Sequence, residues 1–371
     1  MKAMKFNFIG LGAAGNKAVL KLVNEGVASL DEVIIVNSTD KDFPKDYEGK
    51  KVVLNKENTG CGKERPVAKE YMIQTAQSGA ITTDLFTEDC DNILLITSVE
   101  GGTGSGATPF LAKYLNEVHG LNVHICAFTG FEDDIRGLQN TIEFFQEISK
   151  QDIDIMTIRN AAFLTEASNN KFKAEELANE ELVKRVAVMI GKNIQNSSQN
   201  IDDTDMFKTI CTSGYKTIEE IRFNDNISDI GAFDKLCETM IKNSKSVESE
   251  KPGQLRMAII MNIRNESEGA IDYSFNVLKE YYGFPYETFL HKQYDGKGQY
   301  IQIICSGMKL PLAAIQNIYD RYSEETNKVD KENDTFASAM SSMVINSIDK
   351  SFDMVRSRSG VKEASEFFND L

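Results

Sequence analysis

The sequence is poor in the residues around which metal centres and disulfide frameworks are built. It has six cysteines (Cys61, Cys90, Cys126, Cys211, Cys237, Cys305) and three histidines (His119, His124, His291), and no two cysteines form a CxxC pair. Structural zinc needs paired ligand spacing, so a zinc fold is excluded and buried free thiols in a reducing compartment are expected. Long apolar runs are missing too: stretches such as 93–99 fall far below the roughly 20 residues a membrane span requires. The N-terminus runs straight into a strand-like segment, without the layout of a secretory signal, which points to a soluble protein of the cytoplasm. Positive charge is in deficit, with 41 Lys and Arg against 56 Asp and Glu and a net charge of −15. Such a balance argues against direct binding to DNA or to anionic membranes. There is no internal repeat and no low-complexity tract.

What is present is the make-up of a globular protein: 41% hydrophobic and 26% charged residues over 371 positions, enough for two ordinary domains. In the first half, β-rich runs at 5–9, 33–36, 92–97 and 123–128 alternate with helical patterns at 16–24, 66–77 and 109–118. Continuous apolar strands separated by helices indicate a parallel sheet covered on both faces. Pro109 reads as the first turn of its helix and Gly120 as the residue past its end. Another strand is expected at 153–158. A long helix follows from 173 to about 194, with Leu182, Val186, Met189, Ile190 and Ile194 on one face. After a polar break a further helix is expected from Asp205 to about Ile221. The remainder reads as a smaller α/β unit with strands at 255–263 and 300–305, a helix at 271–281 and a turn at 295–298. A last helix, 311 to about 322, leads into a polar tail in which Val344, Ile345 and Ile348 have helical spacing.

Two glycine loops carry the chemistry. Gly10-Leu-Gly12-Ala-Ala-Gly15 lies between the first strand and its helix, where backbone amides can approach a phosphate. Taken alone, it is equally a tight strand–helix turn. Glu100-Gly-Gly-Thr-Gly-Ser-Gly106 follows the strand 92–97, and four glycines within 101–106 leave several N–H groups free to converge on oxygen atoms. Thr103 and Ser105 add hydroxyls for phosphate or for a metal-bound water. Two such loops on adjacent strand ends imply one polyphosphate held between them. A Walker loop is ruled out, because that construction needs a lysine within the glycine loop.

Residues 101–106 resemble the GGGTG[ST]G signature of the tubulin/FtsZ superfamily, with Glu100 standing where the signature has its first glycine. Other parts occur in the family's order. The stretch from Gly10 through Gly12, Ala13, Ala14 and Gly15 to Asn16 resembles its first phosphate loop. Asn37-Ser-Thr-Asp40 resembles its second loop, and Thr59-Gly60-Cys-Gly62-Lys-Glu-Arg65 its third, near the γ-phosphate. By the same resemblance Asn160 and Asn179 fall where asparagines contact guanine. Glu132 and Arg136 resemble a pair near the ribose; a helix-surface ion pair is the alternative. Where the family stacks an aromatic on the base this chain has Glu175, so either Phe172 substitutes or stacking is absent. Asn200-Ile-Asp202-Asp203-Thr-Asp205 resembles the synergy loop NxDxxD, though Asp is also a common helix cap. The 60–65 run with 101–106 is most like the TubZ group of plasmid and phage tubulins, whereas 200–208 is FtsZ-like.

The resemblance implies an α/β fold in four parts. These are a Rossmann-like parallel-sheet GTP-binding domain (1–172), a central helix (173–199), an activation domain (200–322) with the synergy loop 200–205, and a C-terminal helix and tail (323–371). It implies binding of GTP/GDP through Gly10–Asn16, Asp40, Gly60, Gly62, Gly101, Gly102, Thr103, Gly104, Ser105, Gly106, Glu132, Arg136, Asn160 and Asn179, with Mg²⁺ held mainly by phosphates and water. Asn200, Asp202 and Asp205 would act on GTP bound to a neighbouring subunit, so that head-to-tail assembly switches hydrolysis on. The partners implied are further copies of the chain and an adaptor protein bound by the tail, in plasmid or phage DNA partitioning or in a division role like that of FtsZ. A reading of another class is an NAD-dependent oxidoreductase, since GxGxxG after a first strand is also a dinucleotide fingerprint and Asp40 could serve as its ribose acid. Against that reading stand the second glycine loop and the lack of a His or Cys catalytic constellation.

Overall fold

The computed structural model describes residues 4–55, 57–192, 194, 201–248, 253–271 and 273–329. It divides into two compact units. The first comprises Lys5–Ile153, Ile158–Val183 and the helix that begins at Leu312; the second comprises Asp154–Thr157 and Lys184–Pro311.

In the first unit the chain runs β1 (Phe6–Leu11), α1 (Gly12–Asn24), β2 (Val33–Asn37), β3 (Lys50–Val53), α2 (Arg65–Gln77), β4 (Asn92–Ser98), α3 (Gly102–Glu117), β5 (Asn122–Thr129) and α4 (Ile135–Ile148). The strands β3, β2, β1, β4 and β5 lie side by side in that order, all parallel. Every residue of β1, β2 and β5 is buried. This is why their sequences are nearly continuous apolar runs: helices cover both faces, so no position is left for a solvent-facing residue. β1 and β4 are direct neighbours, with Gly10 opposite Ile96 and Leu11 opposite Thr97. The two glycine loops therefore leave the same edge of the sheet side by side.

The 109–118 helix starts earlier than its sequence pattern suggests. It begins at Gly102, so the glycine loop is its first turns and Pro109 lies inside it. A proline there has no N–H to give to the carbonyl four residues back, that of Ser105. Arg65, buried at the start of α2, takes that acceptor instead through Nε (3.3 Å) and Nη2 (3.0 Å). The glycines are needed for close packing. A Cβ on Gly104 would lie 2.2 Å from Thr97 Oγ1 and one on Gly106 2.4 Å from the Arg65 carbonyl oxygen.

β6 (Asp154–Arg159) and α5 (Lys171–Met189) then lead into the second unit. There follow α6 (Asp203–Ile210), β7 (Gly214–Phe223), α7 (Ile230–Lys242), β8 (Arg256–Asn262), the short helices α8 (Asn265–Glu268) and α9 (Asn276–Tyr282), β9 (Glu287–Gln293) and β10 (Gln299–Met308). β7 pairs parallel with β6 and antiparallel with β10; β8 joins β10 antiparallel and β9 parallel, a mixed sheet. The expected helix from 205 to 221 is thus two elements. It stops at Ile210, and from Gly214 (φ +108°) the aromatic and β-branched residues Tyr215, Thr217 and Ile218 favour a strand, in which residues 215–219 are all buried. The junction is pinned by Lys216, whose buried Nζ bonds Asp154 at 2.8 Å and the carbonyl of Ile210.

The final helix, α10 (Leu312–Val329), packs on α4 in the first unit, with Tyr319 and Tyr322 against Leu138 and Ile142. Among the described residues no helix is long and apolar enough to cross a membrane. The tail residues 330–371, with Val344, Ile345 and Ile348, lie outside the described residues, as does Asn200.

Candidate functional site

A cleft of about 340 Å³ opens where β1 and β4 end. Its wall is built from Gly12, Ala13 and Ala14 on one side and Gly101, Gly102, Thr103 and Gly104 on the other, closed by Asn37 and Ser38 and by the loop Gly60–Lys63. All of these belong to the first unit. Gly12 takes φ +74°, and a Cβ there would come within 3.2 Å of the Gly104 nitrogen, so the two loops meet at their backbones. Gly101 and Gly60 face open space, with nothing within 4 Å of an added Cβ. A surface of bare backbone at two helix N-termini suits an anionic ligand, because N–H groups and helix dipoles point at it without side chains in the way.

The nominated residues divide by role. Gly10 and Gly15 do not line the cleft; they let α1 lie on the sheet, since a Cβ on Gly15 would sit 2.1 Å from the Ile96 carbonyl oxygen. Asn16 is buried and exchanges two bonds of 3.2 Å with the backbone of Val36, holding the end of β2. Thr103 lines the cleft, with its hydroxyl 3.1 Å from both Ser38 Oγ and Cys61 Sγ. Ser105 is fully buried and its hydroxyl bonds back to the Gly101 carbonyl within the helix. Asp40 lies in a short turn outside the wall and accepts from Asn58 Nδ2 at 2.5 Å. Its neighbour Asp42, bonded to Asn37 at 2.9 Å, is the carboxylate that reaches the cleft. Asn160 is buried, and its Oδ1 has no hydrogen-bond partner among the described residues. A buried acceptor left without a donor is costly, and Asn160 lines neither depression. Asn179 lines a second depression of about 480 Å³ between α1 and α5, with Lys17, Leu20, Lys21, Asn24, Glu176 and Glu180. Phe172 is 80% exposed at the start of α5 and lines neither depression.

Glu132 and Arg136 do not pair with each other. Glu132 sits before α4 with φ +58° and accepts from Arg321 at 2.6 Å, while Arg136 donates to Glu64 at 2.9 Å. Glu100 turns away from the cleft wall: its carboxylate accepts from the Glu132 N–H at 2.8 Å, and burial pushes its pKa up. Three residues not nominated individually also contribute. Lys63 is the one lysine or arginine of the cleft wall and bonds Asp134 at 2.6 Å. Cys61 lies beneath Gly102. Asn140 of α4 donates to the carbonyls of both Lys63 (3.1 Å) and Glu100 (3.0 Å), fixing two loops at once. Lys63 and Cys61 were visible in the Gly60–Arg65 run, whereas nothing local marks Asn140.

In the second unit, Asp202 caps α6, its Oδ1 accepting from the Asp205 N–H at 2.9 Å. Asp202 and Asp203 are exposed and Asp205 is half-buried, so the loop presents carboxylates at the surface. Among the described residues no three His, Cys, Asp or Glu side chains gather as a metal site. Asp42 is the one carboxylate of the wall, so the described residues offer no protein cage for a divalent ion.

Comparison with known proteins agrees with this geometry. Residues 5–168 match the model of the tubulin/FtsZ family, GTPase domain. Cell division protein FtsZ 1 of Methanocaldococcus jannaschii is 22% identical over 214 residues, 57% of each chain, so the match spans little more than half the length of that relative. Among solved structures, the TubZ of Clostridium botulinum phage c-st superimposes with TM-score 0.69 at 18% identity, covering 88% of this chain and 100% of that one. A GTPγS-bound protofilament of CetZ2 from Haloferax volcanii superimposes with TM-score 0.72 at 15% identity, covering 88% and 99%. At these identities the superpositions establish the shared fold. The order of the loops and the architecture agree with these matches: residues 5–168 are similar to the GTPase domain of the tubulin/FtsZ family, and the chain shares the fold of the solved TubZ and CetZ structures.

Proposed function

We propose that this protein binds GTP in the cleft between the two glycine loops, assembles head to tail, and hydrolyses the nucleotide where two subunits meet. The observation that carries the reading is the bare backbone wall of Gly12–Ala14 and Gly101–Gly104 at adjacent strand ends. Backbone N–H groups of these loops hold the phosphates, and Asn160 contacts the base, a role supported by the family resemblance. Mg²⁺ supplies neutralisation of phosphate charge when bound. Little covalent help is needed for phosphoryl transfer beyond positioning and electrostatics. The cleft wall has Asp42 as its one carboxylate, and Asp202 and Asp205 belong to a different unit. They orient the attacking water in the site of the next subunit, which makes a lone subunit nearly inactive. A head-to-tail contact does not close on itself, so filaments are its geometric consequence. The CetZ2 relative named above was solved as a GTPγS-bound protofilament, which supports the same mode here.

The biological setting that fits best is partitioning of plasmid or phage DNA, with the tail recruiting an adaptor that holds the cargo. Its support is the likeness of Gly60–Arg65 and Gly101–Gly106 to the TubZ group. The test is phosphate release from GTP with Mg²⁺ over a series of protein concentrations, with pelleting of the same samples. Turnover that begins only above a threshold, together with polymer, is the expected result. Turnover proportional to protein at every concentration, without polymer, would refute the intersubunit site.

A further inference from the structure

The second unit holds a buried ion pair that stability does not call for. Lys216 of β7 is 1% exposed and Asp154 of β6 is 5% exposed, with Nζ 2.8 Å from Oδ1. Taking two such charges out of water is costly, and apolar residues of similar volume often serve stability as well or better. What the pair adds is a fixed place for α6. The same Nζ donates to the carbonyl of Ile210, the last residue of that helix. A carbonyl there has no partner within the helix, and a cation meets the negative end of the helix dipole. A second cation works at this end: Arg256 Nη1 donates to Thr212 Oγ1 at 2.6 Å, and that hydroxyl donates to the Lys208 carbonyl at 2.6 Å. The opposite end of α6 carries Asp202 as its cap and Asp205 in its first turn. With eight residues the helix is roughly 12 Å long, short enough to move as one piece. A shift at Ile210 is therefore felt at Asp205.

Resting on the reading of Asp202 and Asp205 as the groups that complete a neighbour's GTP site, we propose that Lys216 is a positioning residue for hydrolysis. By tying the end of α6 to β6 through Asp154, it sets where the two aspartates stand. Without it, the Arg256 contact keeps α6 on the sheet, but the helix loses the tie that fixes its tilt. The effect is on turnover and not on nucleotide binding, because the cleft wall belongs wholly to the first unit.

The test replaces the pair by apolar residues, K216M/D154L, so that no buried charge is left alone. Affinity for GTP, polymer formation and phosphate release per polymerised subunit are measured on the full chain. Affinity is expected to match wild type and polymer to form, while turnover per polymerised subunit falls roughly ten- to hundredfold, the cost of about 1 Å of misplacement. On a background of D202N and D205N, which keeps the α6 cap, the same pair should cost nothing further, since Lys216 acts through those carboxylates. Should the apolar pair fail to fold, K216R decides. Its larger head keeps a cation for Asp154 and pushes the Ile210 carbonyl aside, so turnover should fall with affinity unchanged. Unchanged turnover, absence of polymer, an equal loss on the D202N/D205N background, or a loss of affinity matching the loss of turnover would overturn the role of Lys216 and leave the intersubunit site standing. D202N/D205N polymer that turns over GTP as fast as wild type would instead overturn the reading on which that role rests.

Discussion

Arg65 and Pro109 are complementary: the proline removes the amide that would bond the Ser105 carbonyl, and the arginine supplies two N–H groups to the same oxygen. Nη1 donates to Glu143 at 2.9 Å and Nη2 also donates to Glu147 at 3.0 Å, so one buried cation joins α2, α3 and α4 behind the glycine loop. Replacing Arg65 by Leu strands the Ser105 carbonyl, while Glu143 keeps Gln139 and Glu147 keeps Lys69, and is expected to cost roughly 1–3 kcal/mol. In a P109A background the restored amide satisfies Ser105, so the cost should fall. A double-mutant cycle in urea unfolding reads this directly, and strictly additive losses would contradict it.

The glycines separate into packing and binding positions, and alanine substitution distinguishes them. Gly15→Ala drives a Cβ to 2.1 Å from the Ile96 backbone, and should reach or exceed the upper end of the roughly 1–3 kcal/mol that overpacking costs. Gly101→Ala meets nothing within 4 Å and its φ of −75° suits alanine. Its thermal stability should stay within about 0.5 kcal/mol of wild type, while nucleotide affinity falls because the methyl group enters the cleft.

Asp202 and Asp205 carry a structural and a catalytic part that can be pulled apart. Asp202→Ala removes the cap of α6 and should cost ~1 kcal/mol, whereas Asp202→Asn keeps a capping oxygen and should cost little. Asp205 contributes its N–H to that cap, not its carboxylate. Asp205→Ala is therefore expected to fold and to form pelletable filaments with GTP, yet to turn over little of it. Filaments with unchanged turnover would remove Asp205 from the mechanism.

Glu100 gives the stability a pH signature. Burial raises its folded pKa above the ordinary glutamate range, against the opposing effect of the Glu132 and Phe131 N–H groups. A carboxyl with a raised folded pKa contributes stability that is full below the unfolded value of about 4.3 and is lost as pH rises through the folded value. Glu100→Gln keeps an acceptor and removes the buried charge. Its melting temperature should exceed that of wild type at neutral pH, with the gap closing as pH falls toward about 4. A gap independent of pH would show that folding does not shift the Glu100 pKa.

The parallel strands of the first unit, the two glycine loops and the Asp-rich start of α6 were legible because their signals are local. A strand buried on both faces needs an unbroken apolar run, and backbone that must approach a ligand or another backbone needs glycine. Each requirement falls on a few consecutive residues. The 205–221 segment misled for the same reason: Met206, Ile210, Ile218 and Ile221 admit a helical spacing, and only pairing with β6 and β10 decides that the second half is a strand.

What the tertiary structure alone decided are the relationships between residues far apart in the chain. The lysine that faces the glycine loop comes from the 59–65 run. The arginine that compensates Pro109 comes from the start of another helix, and Asn140 fastens two loops from a third. The partners of Glu132 and Arg136 are Arg321 and Glu64 rather than each other, because the left-handed turn at Glu132 puts it outside α4. Local sequence determines which backbone can become strand, helix or phosphate loop. Which side chains then share a cleft depends on how strands and helices pack, and that is not written in the spacing of neighbouring residues.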